Sequence, residues 1–265
     1  MLEIRPSLKA YLTRLPEAGQ YFFMSRDAIE ALGISRAAVK QALNRLRRKG
    51  EIASPARGMY VIVPPEYRAL GCLPADQFIP ALMAESDTPY YAGLLSAAQY
   101  HGAAHQRPQE FQVMLGKPHR PIVCGRVRIV FHMRKHIGDV PVQHINTPRG
   151  TVAVSTPEAT PFDLVGYEAQ FGGLDAVAIV LIDLAERLDP EKLAALAPAV
   201  PLPWAQRLGY LLEHIDEARS AKSLKNYVHA HARDATLLQP SAHKDGYPRN
   251  QDWKLIVNCN VEAET

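Results

Sequence analysis

The sequence predicts an α+β protein of two domains, on three observations. Its 265 residues exceed the common single-domain size. Charge is unevenly shared: residues 1–64 hold 11 Lys and Arg against 5 Asp and Glu, a net of +6, whereas residues 65–265 hold 19 against 22, a net of −3. Helical spacing of apolar residues and strict two-residue alternation both recur along the chain, in separate blocks. A cationic head on a mildly acidic body suits contact with a polyanion at one end and a different task at the other.

The head is organised around residues 24–63. Ser25 is placed to cap a helix over Arg26 to Leu32, which Gly33 ends because glycine accepts the left-handed conformation of a helix terminus. Ile34 plugs the turn and Ser35 caps a second helix, Arg36 to Lys49. There Val39, Ala42, Leu43 and Leu46 form one apolar stripe. At 100° per residue the opposite side carries Ala37, Lys40, Gln41, Asn44 and Arg48, with Arg36 at its edge. No acidic residue lies between Ile34 and Gly50. Glu51 to Ala53 and Gly58 to Val63 read as two strands, with Ser54 to Arg57 as the tip between them. Pro6 to Leu15 reads as a bracing helix, and Tyr21-Phe22-Phe23 as a short strand leading in. Together these describe a winged helix-turn-helix, a module that lays its second helix in the major groove of DNA. Ser35, Arg36, Lys40, Gln41, Asn44, Arg45, Arg48 and Arg57 are the candidate DNA-binding residues. The expected domains are 1–66 and 74–265, joined by a connector that follows Pro64-Pro65.

In the body, helices are expected over Asp76 to Glu85 and Tyr91 to His101. Phe111 to Leu115 reads as a half-buried strand. In Cys124 to His136, Val127, Ile129, Phe131 and Met133 alternate with Arg126, Arg128, Val130, His132 and Arg134. One strand face would thus carry Arg126, Arg128, His132 and Arg134 as a second basic surface, with an ordinary solvated face as the plainer reading. Further strands are expected at Gln143 to Ile145 and Thr151 to Val154. Helices follow, among them a buried one over Leu174 to Leu188 and one over Pro203 to Ile215. A polar stretch then runs to Ala242, and Trp253 to Asn258 closes as a strand.

Several function classes are disfavoured. No apolar run approaches the ~20 residues that cross a bilayer, and the first residues, MLEIRPSLKAYL, carry no secretory signal, so the expectation is a cytoplasmic protein without a membrane partner. Cys72, Cys124 and Cys259 have no paired spacing, which argues against a disulfide framework or zinc site. The pairs His101/His105 and His132/His136 lack a nearby carboxylate to complete a metal site. Asp163, Glu168, Asp175, Asp183 and Glu186 show no pairing suited to acid–base work. Neither an enzyme, nor a metal, nor a cofactor is expected.

The layout resembles the AbiE-type antitoxins, the antitoxin halves of bacterial abortive-infection (type IV) toxin–antitoxin systems. The resemblance rests on Ser25 to Val63, on the passage Val152-Ala-Val-Ser-Thr-Pro-Glu-Ala-Thr-Pro-Phe-Asp-Leu164, on Arg207-Leu-Gly-Tyr-Leu-Leu212, and on the closing Arg249-Asn250, Trp253 and Val257-Asn258. Pro161 departs from the leucine-like residue expected there. The resemblance implies an N-terminal winged helix-turn-helix followed by a larger mixed α/β domain. It also implies repression of the protein's own operon at promoter inverted repeats in double-stranded DNA; dimerisation on the DNA is left open. The C-terminal part would neutralise a cognate nucleotidyltransferase-like toxin without a stable complex. The alternatives are a one-component regulator whose C-terminal domain senses a small molecule, or a nuclease or nucleotidyltransferase.

Overall fold

A computed structural model describes residues 7–103, 109–170, 172–243 and 246–263. Pro6 and His105 lie outside the described residues. The fold is α+β, with N-terminal helices and a small sheet followed by a larger region of mixed helix and strand. By compactness the chain divides into two units that do not follow chain order. One comprises Met1–Tyr91, Gln109–Ile137 and His144–Ala153; the other comprises Ala92–Pro108, Gly138–Gln143 and Val154–Thr265.

The first unit opens with helix α1 (Leu8–Glu17), strand β1 (Phe22–Met24), helices α2 (Ser25–Leu32) and α3 (Arg36–Arg48), and strands β2 (Ile52–Ala56) and β3 (Met59–Ile62). The strands form an antiparallel sheet of order β1-β3-β2, pairing Phe23 with Tyr60 and Ala53 with Val61. Phe23, Ala28, Leu32, Val39, Leu43 and Ile52 form its buried core, and Leu8, Tyr11, Leu12 and Leu15 of α1 pack against it. Val39 and Leu43 lie on the apolar stripe expected for α3, which local periodicity turns inward, whereas Ala28 joins the core from outside any expected stripe. The Tyr11 ring meets Phe23 edge-on and Phe23 stacks on Tyr60, at centroid distances of 5.8 and 5.5 Å.

Two local expectations need correction. Ser25 is the first residue of α2 rather than its cap; the Asp27 carboxylate accepts the Met24 N–H at 2.9 Å instead. The hairpin tip is shorter than expected, since β2 continues through Ala56 and leaves Arg57-Gly58 as the turn. The Ser54 hydroxyl, donating to Ala56 and Met59 carbonyls at 3.1 and 3.0 Å, holds the strand together where its register shifts.

Helix α4 (Ile79–Glu85) follows a short 3₁₀ turn, and Tyr90–Ala92 is strand β4 rather than the start of a helix. The helix, α5 (Leu94–Tyr100), begins two residues later. Strands β5 (Phe111–Leu115), β6 (Ile122–Cys124), β7 (Val127–Met133), β8 (Val142–Thr147) and β9 (Gly150–Ser155) complete a six-stranded sheet of order β6-β7-β5-β4-β9-β8. β5 and β7 pair in parallel, Val113 opposite Phe131. Gln112, Val113, Met114 and Leu115 of β5 are all buried, so both of its faces are covered, where a strand with one wet face was expected. Wing strand β2 packs against β6, one link between the N-terminal segment and the part of this sheet that belongs to the first unit.

Arg149, on the turn between β8 and β9, is another. Its guanidinium lies over the Tyr21 and Tyr67 rings, 4.0 and 5.2 Å from their centroids. It donates to Gln77 and pairs with Glu66 at 3.2 Å.

The second unit is mainly helical: α6 (Ala159–Gly166), α7 (Gly173–Ala185), α8 (Pro190–Leu196), α9 (Leu202–His214) and α10 (Ala218–His231), with a small sheet of β10 (Thr236–Leu237), β12 (Leu255–Ile256) and β11 (Arg249–Asn250). Helix α10 lies in what reads as a polar stretch; its inner stripe is Ala221, Leu224 and Val228. The quoted C-terminal motifs prove to be packing devices. Trp253 is fully buried, its indole N–H donating to Glu213 at 2.6 Å and its backbone N–H to Asn250 at 2.9 Å. Gly209 of α9 faces the Trp253 ring so closely that a Cβ there would run into it. Gln206 donates to the carbonyls of Trp253 and Lys254, and Asn258 bridges the backbone of Gln239 and His243.

The Val152 to Leu164 passage is likewise a buried polar knot. The Ser155 and Thr160 hydroxyls meet at 2.7 Å, and a ring nitrogen of His101 meets the Ser155 carbonyl at 2.7 Å. Burial holds the His101 pKa below its ordinary value, so the ring is neutral and donates to that carbonyl. On acidification the unfolded chain therefore takes up a proton before the folded one. Stability is expected to fall as pH drops through about 6.5 and level off below the folded value. Urea titrations between neutral and mildly acidic pH check this, and His101→Gln, which keeps a donor, is expected to flatten the dependence. His132, also held low by burial, contributes in the same direction.

Candidate nucleic-acid interface

Helix α3 stands on α2 through a tight turn. Gly33 takes φ 58° and ψ 28°, returning its N–H to Ile29 at 3.0 Å, and the Ser35 hydroxyl accepts the Ala38 N–H at 3.3 Å. That cap starts α3 immediately after the turn and fixes which side of the helix faces in. Val39 and Leu43 are each 1% exposed, which locks the rotation of the helix about its own axis.

The opposite side is open to solvent. Ser35, Arg36, Ala37, Lys40, Gln41, Arg45 and Arg48 are exposed, and Asn44 is half-buried between them. Among the described residues, Arg36, Lys40, Arg45, Arg48 and Arg57 have no acidic partner. Arg26 of α2 differs, being paired with Glu85 at 2.6 Å and Asp27 at 3.6 Å, which spends its charge inside the protein. Unpaired cations on a rigid helix retain their full attraction for phosphate, and Gln41 and Asn44 bring amides that match the adenine edge. The basic residues Arg45, Arg47 and Arg48 in the last turn also complement the helix dipole, so their crowding is offset locally.

Arg57 is exposed at the wing tip. Gly58 beside it has φ 81°, and its carbonyl accepts the Ser25 N–H at 2.7 Å, tying the wing to the start of α2. A side chain at position 58 would be strained at that φ and would meet Ser25 Oγ at 3.5 Å.

The second basic surface expected on β7 is only partly formed. Arg126 and Arg128 are exposed, and Arg128 is paired with Glu110 at 3.0 Å. His132 is half-buried and Arg134, just past the end of β7, is only 6% exposed, its backbone N–H donating to the Leu115 carbonyl at 2.7 Å, while Met133 between them is exposed. The row therefore ends at Arg128 instead of running through Arg134. Sequence reading also missed the meeting of Cys72 and Cys124 and the Arg149 clasp; both join residues more than 50 positions apart, which no local pattern signals.

Among the described residues, no group of three or more His, Cys, Asp or Glu could hold a metal ion, and no helix is long and apolar enough to cross a membrane.

Residues 91–214 match the family model described as AbiEi antitoxin C-terminal domain, and residues 11–63 match that described as transcriptional regulator, AbiEi antitoxin. Among solved structures, a similar fold is that of the RV2827C protein from Mycobacterium tuberculosis, at 18% identity and a TM-score of 0.65, covering 92% of this chain and 89% of that one. No curated protein matches the chain.

Proposed function

The chain belongs to the AbiEi antitoxin family, an antitoxin-type regulator, and from that premise we propose that it represses its own operon and neutralises a nucleotidyltransferase-like toxin. Residues 1–66 serve as the DNA-binding part, recognising inverted repeats in the promoter, and residues 74–265 act against the toxin without forming a stable complex with it. Two copies occupy the two half-sites. Arg36, Lys40, Gln41 and Asn44 enter the major groove, flanked by Ser35 and Arg45, while Arg48 and Arg57 bind phosphates. The observation that carries this reading is the unpaired cationic face of α3, backed by buried Val39 and Leu43.

The test uses the full chain with its own promoter driving a reporter, beside the toxin expressed separately. Gln41→Ala/Asn44→Ala is expected to release the reporter while still rescuing growth from the toxin. Wild-type chain that neither protects promoter DNA in footprinting nor rescues growth would overturn the proposal. For Arg57→Ala, affinity is expected to drop for all sequences alike, and the slope of log affinity against log salt is expected to flatten by about one unit. Filter-binding titrations over a salt series measure both.

A further inference from the structure

Two segments of the first unit cross at van der Waals distance. The Arg126 N–H donates to the Leu70 carbonyl at 2.8 Å. A Cβ on Gly71 would meet Gly125 Cα at 3.2 Å, and one on Gly125 would run into the Leu70 carbonyl and the Gly71 backbone. Gly125, at φ 59°, is thus a position that only glycine suits. Leu70 lies by Arg126 and Gly71 by Gly125, and the residues next along the two turns are Cys72 and Cys124. Their thiols are hydrogen-bonded to each other. Two thiols that already touch through a hydrogen bond need only a small approach of their backbones to reach disulfide geometry.

We propose that Cys72 and Cys124 form a reversible disulfide, an oxidation site whose entry point for a hydroperoxide is the Cys124 sulfur. The two sulfurs differ in chemistry as well as exposure. Cys124, at the end of the sheet's edge strand β6, is 7% exposed; Cys72 is fully buried. The Cys72 S–H donates to Cys124, the Ser54 backbone N–H does the same, and Arg47 lies nearby, all lowering the Cys124 pKa despite burial. The same hydrogen bond, with burial, raises that of Cys72. Cys124 is therefore the more readily ionised sulfur and Cys72 the resolving thiol.

The Cys124 thiolate attacks one oxygen of the peroxide; the O–O bond breaks, sulfur is oxidised to a sulfenic acid and the other oxygen leaves as hydroxide. Cys72 then attacks the sulfenic sulfur. An S–S bond forms, the S–O bond breaks, and the Cys72 proton leaves with the departing oxygen as water. Two thiols and one hydrogen peroxide give one disulfide and two waters. A dithiol restores the reduced pair by exchange.

This inference is independent of what α3 binds. The test treats the reduced full chain with hydrogen peroxide, blocks remaining thiols with N-ethylmaleimide, and maps peptides by mass spectrometry. The expected product is a peptide pair linked through Cys72 and Cys124 within one chain, lost on adding dithiothreitol. In Cys72→Ser, Cys124 is expected to stop at the sulfenic acid, captured by dimedone; in Cys124→Ser, Cys72 is expected to stay reduced. Half-buried Cys259 is the internal comparison. Oxidation confined to Cys259, bridges only between chains, or no oxidation of the wild-type pair would each overturn the proposal, whether or not the serine variants fold.

Discussion

Gln41→Ala and Asn44→Ala are each expected to erase the preference for one base pair per half-site, a loss of about 1–3 kcal/mol in discrimination at that position. Non-specific affinity is expected to remain nearly unchanged, because neither residue carries charge and the phosphate contacts stay in place. Competition titrations between the operator and single-base variants, all at one salt concentration, separate the two quantities. A double variant that binds as tightly and as selectively as wild type would remove α3 as the reader. The expectation follows from packing as much as from chemistry. Val39 and Leu43 fix the helix rotation, so the amides and the lysine cannot turn away without exposing the core. Alanine at 41 or 44 leaves that apolar stripe intact, and any effect on binding is not a folding effect.

Gly209→Ala is expected to be the most damaging small substitution in the second unit. Its Cβ would run into the six-membered ring of Trp253, which is fully buried and pinned at both the indole N–H and the backbone N–H. Overpacking of this kind costs about 1–3 kcal/mol and sometimes more, and here the ring has no free direction in which to move. Urea denaturation is expected to show a lower midpoint. Trp253→Phe withdraws the colliding ring, so the double variant is expected to be more stable than the sum of the two single losses. Simple additivity would mean that the ring and the glycine are not in contact.

How much of this was legible in the sequence depended on distance along the chain. The winged helix was readable because each of its signals is local: the Gly33 turn, the Ser35 cap and the Val39–Leu43 stripe each lie within one or two helical turns. Strand Tyr90–Ala92 overlaps the helix expected from Tyr91, because three residues give too little alternation to outweigh the apolar run into Leu94. Helix α10 was passed over for its Ser, Lys and His content, although Ala221, Leu224 and Val228 mark an inner stripe. Arg134 was assigned to a solvated face because alternation tells which side of a strand a residue takes, not whether that side is covered. The parallel pairing of β5 with β7, the Cys72–Cys124 contact and the Arg149 clasp depend on long-range register, which is set by packing of the whole sheet.

The most direct measurement is photocrosslinking of the full chain, with a photoreactive amino acid replacing Gln41, to its own promoter duplex. The expected result is a crosslink to a base within the inverted repeat, competed away by unlabelled operator but not by unrelated DNA. A chain that still binds the operator yet gives no crosslink from position 41 would contradict the claim that α3 lies in the major groove.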